Sequence, residues 1–182
     1  MKILLSPHND DEVLFTSFTI IREKPLVVIV TDGSRHEKKR IATMKERREE
    51  TERAMKRLGA KSYFLGIHDD ELELEHLISV LSVLRFAPMQ DIQKVYAPAV
   101  LANGNPDHNI VGKAAKIVFG DRVTYYSTYT IDNLTPRGNV IVMPTDKEIE
   151  LKCKALCEYT SQIRYNRPHF DAVIGHPEYY IQ

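Results

Sequence analysis

Pro25 is followed by five apolar residues without a break, Leu26-Val27-Val28-Ile29-Val30, and then by the turn-forming Thr31-Asp32-Gly33-Ser34. An unbroken run of this kind reads as a strand buried on both faces, which is the condition of strands in parallel sheets. Shorter runs repeat the theme at Lys2–Leu5 and Ser62–Leu65, each leading into polar residues, and at Lys94–Ala97, followed by a loop. Helical patterns fill the spaces between them. The first is expected from about Asp10 to Arg22, with Val13, Phe15, Phe18 and Ile20–Ile21 facing the core. Residues 37–58, rich in Lys, Glu and Arg, read as a long solvated helix ended by Gly59. Leu74–Phe86 repeats Leu77, Val80, Leu81 and Leu84 at helical spacing, and Ile110–Val118 makes a further helix stopped by Gly120. The last third is less regular. Val123–Tyr129 and Val140–Met143 read as strands around a loop with Pro136 and Gly138, and Thr145-Asp146-Lys147-Glu148 is a capping box opening a helix to about Tyr159. The final residues, Arg164 to Gln182, carry Pro168, His176-Pro177-Glu178 and a Tyr pair, and no element is assigned to them. Strand–helix alternation predicts an α/β chain: one doubly wound, Rossmann-like domain over residues 1–182, with a mostly parallel sheet and helices on both faces.

Composition narrows the function classes. With 182 residues, 43% hydrophobic and 27% charged, the chain can build one sizeable core. Lys+Arg and Asp+Glu balance at 25 each, so no net field recruits nucleic acid or an anionic membrane. No stretch approaches the roughly 18 apolar residues of a membrane span. The four apolar residues before Ser6 are too few for a signal-peptide core. A cytoplasmic protein is the expectation, and the Asn133-Leu134-Thr135 sequon is read as accidental. Cys153 and Cys157 are four apart on a helix, about 5–6 Å between Cβ atoms, too far for the roughly 3.5–4.5 Å of a disulfide. They are expected to be two packed thiols.

Chemistry gathers at two strand exits. The first strand runs into Ser6-Pro7-His8-Asn9-Asp10-Asp11-Glu12, and the loop after the fourth into Asn105-Pro106-Asp107-His108. Ligands of open α/β sheets are held beyond the carboxyl ends of the strands. Two imidazoles and a carboxylate suit a divalent ion left open to water or substrate, and a spare carboxylate beside it can act as general base. Asp10 and Asp11 are adjacent and project differently, so one ligand and one base is the economical assignment. Each cluster also has a purely structural reading. Asn9 and Glu12 have the N-cap and N3 spacing of a capping-box variant, and Asn105-Pro106-Asp107 fits an N-cap, N1 and N2 sequence. Residue types alone leave metal site and helix caps evenly matched.

Ser6–Glu12 resembles the PHPDDE signature of the PIG-L/LmbE-like N-deacetylases, zinc hydrolases that remove acetyl from N-acetylglucosaminyl compounds. Further matches follow in order. Thr31-Asp32-Gly33 is similar to the family's T-D-G turn. Arg47, Glu50, Ala54, Leu58 and Gly59 fit its R-x-x-E-x-x-x-A-x-x-x-L-G helix. Phe64-Leu65-Gly66, with Asp69 and Leu72, fits its third strand and loop. Asn105-Pro106-Asp107-His108 with Val111-Gly112 resembles H-P-D-H-x-x-V-G, and Tyr159-Thr160-Ser161-Gln162 resembles Y-x-S-Q.

The resemblance implies His8, Asp11 and His108 as ligands of one Zn²⁺ per chain, with other divalent ions open because such donor sets also suit iron. It implies Asp10 as general base, Asp107 as a residue that orients or tunes a neighbour, and Arg47 as a substrate contact. Asn9 stands in place of the signature's proline, a change expected to affect backbone stiffness more than chemistry. Asn105 replaces a histidine held to stabilise the oxyanion or protonate the leaving amine. An Asn can donate a hydrogen bond to an oxyanion but delivers no proton near neutral pH. His176 is the candidate to supply one, and His36, His68, His76 and His169 are expected to be surface or packing residues. The expected activity is zinc-dependent hydrolysis of the acetamide of an amino-sugar conjugate, with no nucleic-acid partner, no membrane span and homo-oligomer formation left open. The alternative is a weakened or inactive relative that binds metal, amino sugar or a partner. A nucleotide-binding protein is disfavoured, since neither G-x-G-x-x-G after the first strand nor a P-loop lysine is present.

Overall fold

The computed structural model describes residues 1–33, 42–69, 71–83, 88–128 and 138–182. Its elements run β1 (Lys2–Ser6), α1 (Asp11–Glu23), β2 (Leu26–Thr31), α2 (Met44–Leu58), β3 (Lys61–Ile67), α3 (Leu74–Ser82), β4 (Lys94–Pro98), α4 (Pro106–Phe119), β5 (Val123–Tyr126), β6 (Val140–Val142), α5 (Asp146–Leu156), α6 (Thr160–Ala172) and β7 (Glu178–Ile181). The strands form one sheet in the order β3-β2-β1-β4-β5-β7-β6. The first five are parallel, with Leu4 paired to Val27 on one side and Tyr96 on the other. β7 runs antiparallel between β5 and β6. The expected doubly wound α/β architecture is therefore present.

Alternation along each strand explains the two-sided core. Leu4, Val27 and Ile29 face one layer with Val13, Ile20, Ala54, Met55, Leu58 and Leu156 from α1, α2 and α5. Ile3, Leu5, Val28 and Val30 face the other, with Leu77, Leu81, Val111, Ala115 and Phe119 from α3 and α4. Strand order reverses between β1 and β4, so the exits of these two strands flank the crevice where such sheets hold ligands.

Several local expectations change. α6 and β7 form where no element was expected. α6 hides its period because Asn166 is non-helical (φ −147°, ψ 62°) and Pro168 lies within it. Short β7 is stabilised by sheet neighbours distant in sequence. α5 opens at the Thr145–Glu148 capping box as expected but ends at Leu156 rather than Tyr159. Cys153 is half-buried and Cys157 exposed, so the two are not both packed thiols. The start of the expected 37–58 helix, His36, Leu84, Phe86, Tyr129, Pro136 and the sequon lie outside the described residues. None of the described helices is long and apolar enough to cross a membrane.

One irregularity lies directly under the site. α1 breaks at Thr16 (φ −139°, ψ 17°). At the break, Lys152 Nζ donates to the Leu14 carbonyl at 2.8 Å. Glu178 accepts the Phe18 and Thr19 backbone N–H groups at 2.5 and 3.0 Å. A buried Lys and a buried Glu thus take over groups that a continuous helix would have paired internally.

Candidate metal centre

Residue 10 opens α1 in an unusual way. Asp10, and not Asn9, is the N-cap residue, at φ 130°, ψ −31°. A side chain rarely adopts that backbone, and the cost is roughly 1–3 kcal/mol, met by the surroundings. The Asp10 carbonyl accepts Val13 and Leu14 N–H at 2.9 Å each. Its own N–H donates to Glu12 Oε2 at 3.0 Å. The strained turn sends the Asp10 and Asp11 side chains to different partners, as their adjacency required.

Asp11 faces the two imidazoles. Its Oδ2 lies 3.0 Å from His8 Nδ1 and 3.0 Å from His108 Nε2, and also accepts the His8 backbone N–H at 3.0 Å. The rings of His8 and His108 are 5.3 Å apart. Ligand atoms of His8, Asp11 and His108 all fall within 4.8 Å of one another. Burial pushes Asp11 up, but the His108 and His8 rings outweigh it and hold the carboxyl well below the usual range. A preformed carboxylate between two imidazoles, the ligands drawn from β1, α1 and α4, fits a divalent cation in donor type and number. A second face of His8 carries carboxylates as well, with Asp107 Oδ2 3.0 Å and Asp69 Oδ1 3.9 Å from Nε2. Burial lowers the His8 pKa, and the hydrogen bonds to Asp107 and Asp11 more than compensate, so it rises overall. Asp107 therefore addresses His8 rather than its chain neighbour His108, orienting that ring.

Asp10 turns toward α2. Arg47 Nη2 donates to its Oδ2 at 3.2 Å and also to the Asn9 carbonyl. Burial pushes the Asp10 carboxyl up to about 6, with Arg47 working against the rise. Arg47 is itself buried, 3% exposed, and Nη1 reaches Glu50 Oε2 at 3.3 Å. Glu50 in turn accepts Ser161 N–H at 2.7 Å, Ser161 Oγ at 2.8 Å and Thr160 Oγ1 at 3.1 Å. The R-x-x-E pair of α2 thus joins the start of α6 to the carboxylate beside the ligands. Asn9, buried, donates through Nδ2 to Thr51 Oγ1 at 3.0 Å. Its side chain fastens the β1 exit to α2, a contact that a proline could not make.

Asn105 occupies the N-cap of α4 and accepts the Asp107 N–H at 2.9 Å, with Pro106 behind it. The helix-cap reading and the site reading hold here together, since this cap is what presents Asp107 and His108. Gly112 follows because a Cβ there would run into the Pro98 carbonyl, and α4 packs that closely on β4. His176 lines a small cavity of about 70 Å³ with Phe15, Thr128, Lys152 and Glu178. Phe15 stands edge-on to His108 with centroids 6.5 Å apart.

Three site residues carry duties that sequence reasoning did not assign. Glu12 accepts Ser6 Oγ at 3.0 Å, the Asp10 N–H and the Tyr159 hydroxyl, and burial pushes it up to about 7. Tyr159 is therefore a buttress reaching back 147 residues. Asp69, 6% exposed, has an Oδ1 with no hydrogen-bond donor among the described residues, facing His8. In the sequence, Asp69 and Tyr159 were marked by their place in matched motifs, and Glu12 also by its helix-cap spacing to Asn9.

Against solved structures, the chain superposes on N,N′-diacetylchitobiose deacetylase from Pyrococcus horikoshii with a TM-score of 0.71 and 22% identity, covering 98% of this chain and 82% of that one. The zinc-inhibited form of teicoplanin deacetylase gives 0.70 at 14% identity, covering 91% and 86%. The 4-carboxy-2-hydroxymuconate hydratase GalB of Pseudomonas putida KT2440 gives 0.69 at 17%, covering 99% and 95%. At such identities the likeness establishes the fold, and the hydratase shows that the fold carries more than one reaction. No curated protein matches by sequence. The family described as GlcNAc-PI de-N-acetylase (PIG-L) matches residues 3–119. That span runs from β1 through α4 and includes His8, Asp10, Asp11, Arg47, Asp69, Asp107 and His108, which makes this chain a member of the PIG-L family.

Proposed function

We propose that the protein is a metal-dependent N-deacetylase that hydrolyses the acetamide of an N-acetylglucosamine-type conjugate. The observation that carries this reading is the division of labour on one turn. Asp11 lies between two imidazoles, while Asp10, 3.2 Å from Arg47, is held beside the ligands. His8, Asp11 and His108 would hold the ion, with zinc the first candidate. Such an ion polarises an amide carbonyl and acidifies water. Asp10 accepts the proton of the attacking water as its oxygen adds to the carbonyl carbon. A carboxyl with a pKa of about 6 is ionised at neutral pH yet still a competent base. Arg47 and the Asp10 N–H bond to Glu12 fix its position. Asn105 donates a side-chain N–H to the oxyanion. Cleavage of the C–N bond then releases acetate and the free amine.

A second reading has one observation in its favour. Asn105 spends its carbonyl capping α4 and brings no transferable proton, as a weakened relative that only binds metal and amino sugar would. Amine release from a panel of N-acetylglucosaminides separates the two. The deacetylase reading expects turnover that a chelator removes and Zn²⁺ restores. Metal uptake with no turnover on any panel member supports the binder.

A further inference from the structure

Asn105 brings no transferable proton for the leaving amine, and among the described residues His68, next to Asp69, is held by a buried carboxylate. Asp32, at the end of β2, accepts the backbone N–H of Asp69 at Oδ1, 3.3 Å away. Its Oδ2 is 2.5 Å from His68 Nδ1. Asp32 is 7% exposed and fixed from below, since its own N–H donates to the Ile67 carbonyl at 2.8 Å. Thr31 N–H donates to the Pro7 carbonyl at 2.9 Å, so the exits of β1, β2 and β3 are bonded to one another. One carboxylate therefore orients both His68 and the backbone of Asp69, and Asp69 Oδ1 is 3.9 Å from His8 Nε2. The His68 side chain is 46% exposed, with Nδ1 committed to Asp32 and Nε2 on the opposite edge. This is the arrangement in which a buried carboxylate fixes the tautomer of a histidine that exchanges a proton at the other nitrogen.

The other described histidines are placed less well. His76 is exposed on α3. His176 lines the small cavity with Lys152 and Glu178. His169 lies beyond the α6 break, edge-on to Phe170.

We infer that His68, oriented by Asp32, is the general acid of this chain. As the imidazolium, with its Nδ1–H held by Asp32, it donates the Nε2 proton to the amide nitrogen as the C–N bond of the tetrahedral adduct breaks. The bonding pair leaves with nitrogen, the amine departs neutral, and the carbon keeps both oxygens as the acid. The residue compensates for the loss at position 105 from the exit of β3. This assignment rests on the deacetylase reading.

The test compares leaving groups. Metal-loaded wild type, His68→Gln and Asp32→Asn are assayed on an N-acetylglucosaminide and on p-nitrophenyl acetate, whose phenolate needs no proton to leave. Metal content and thermal midpoint are measured for each. With metal content unchanged, His68→Gln is expected to lower kcat on the amide by about 10²-fold, the usual range for general acid catalysis. The ester rate falls far less, and Asp32→Asn follows the same pattern more weakly. Equal losses on both substrates, or no loss on the amide, overturn the role of His68 while leaving the deacetylase standing. A wild type that takes up metal and releases no amine from any acetamide refutes the deacetylase reading itself, and the acid with it.

Discussion

At Gly33 the backbone holds φ +70°, and an added Cβ would lie 2.6 Å from Asn9 Oδ1 and 2.9 Å from Arg47 Nε. Both neighbours are buried and neither is the loose end of a surface chain, so the strain has no cheap outlet. Gly33→Ala is expected to cost about 2–3 kcal/mol in urea unfolding, from the unfavourable φ and the clash together. Gly59 provides the control. It has φ +68° but meets only the end of the Lys24 side chain, so Gly59→Ala should cost about 1 kcal/mol. Equal costs would remove the packing argument at Gly33. The same crowding shows why ligands were legible in the sequence and their supports were not. His8, Asp11 and His108 are identifiable from residue type and position at strand exits. Glu12, Tyr159 and Asp69 look like ordinary helix-start, helix-end and loop residues until the chain is folded. What defines them is burial beside a partner far away in sequence.

Element by element, α1 and α5 depend on charges brought by other elements. The break at Thr16 places Lys152 and Glu178 in the core, Lys152 with a pKa lowered to about 8 by burial and Glu178 raised by burial. Each charge offsets the other electrostatically, and losing Glu178 also strips the Phe18 and Thr19 N–H groups of their acceptor. Glu178→Ala should destabilise by roughly 3–5 kcal/mol in denaturant unfolding. The paired change Lys152→Met with Glu178→Gln should cost clearly less than the sum of the two single changes. Strict additivity would show that the two residues are not coupled. α5 is secured from α1 by Arg22, which donates to Glu148 through Nε at 2.6 Å and Nη2 at 2.8 Å. The Arg22 bonds lead the causes that hold Glu148 down, from an ordinary 4.5 to about 2. A depressed carboxylate stabilises the fold fully above its unfolded value and loses that contribution as pH falls through the folded one. Wild type should therefore exceed Glu148→Gln by about 1 kcal/mol near neutral pH, Arg22 being partly exposed. The gap should close between about pH 4.5 and pH 2. A gap independent of pH would place the effect in packing. The helices and strands with continuous patterns, β2 and α4 above all, were readable in advance. α6 and β7 were not, because a proline, a non-helical Asn166 and cross-sheet pairing override local preference there.

Across the whole molecule, the site is a junction. β1, α1 and α4 bring the three ligand candidates, β3 brings Asp69, α2 brings Arg47, and the start of α6 is drawn in through Glu50. A cation bound there ties these elements together only in the folded chain. At free Zn²⁺ about 100 times its Kd, the stabilisation is roughly 2.7 kcal/mol, which for a chain of this size raises Tm by about 5–10 °C. His108→Ala should abolish the shift, and an unchanged shift would move the ion elsewhere. The central claim is that Asp10 acts as base beside an ion held by its neighbours, and Asp10→Asn tests it most directly. Elemental analysis and amine release from an N-acetylglucosaminide are measured on the same preparations of wild type and variant. Equal metal content is expected, with turnover lower in the variant by at least about 10²-fold. Full turnover with metal bound would contradict the claim.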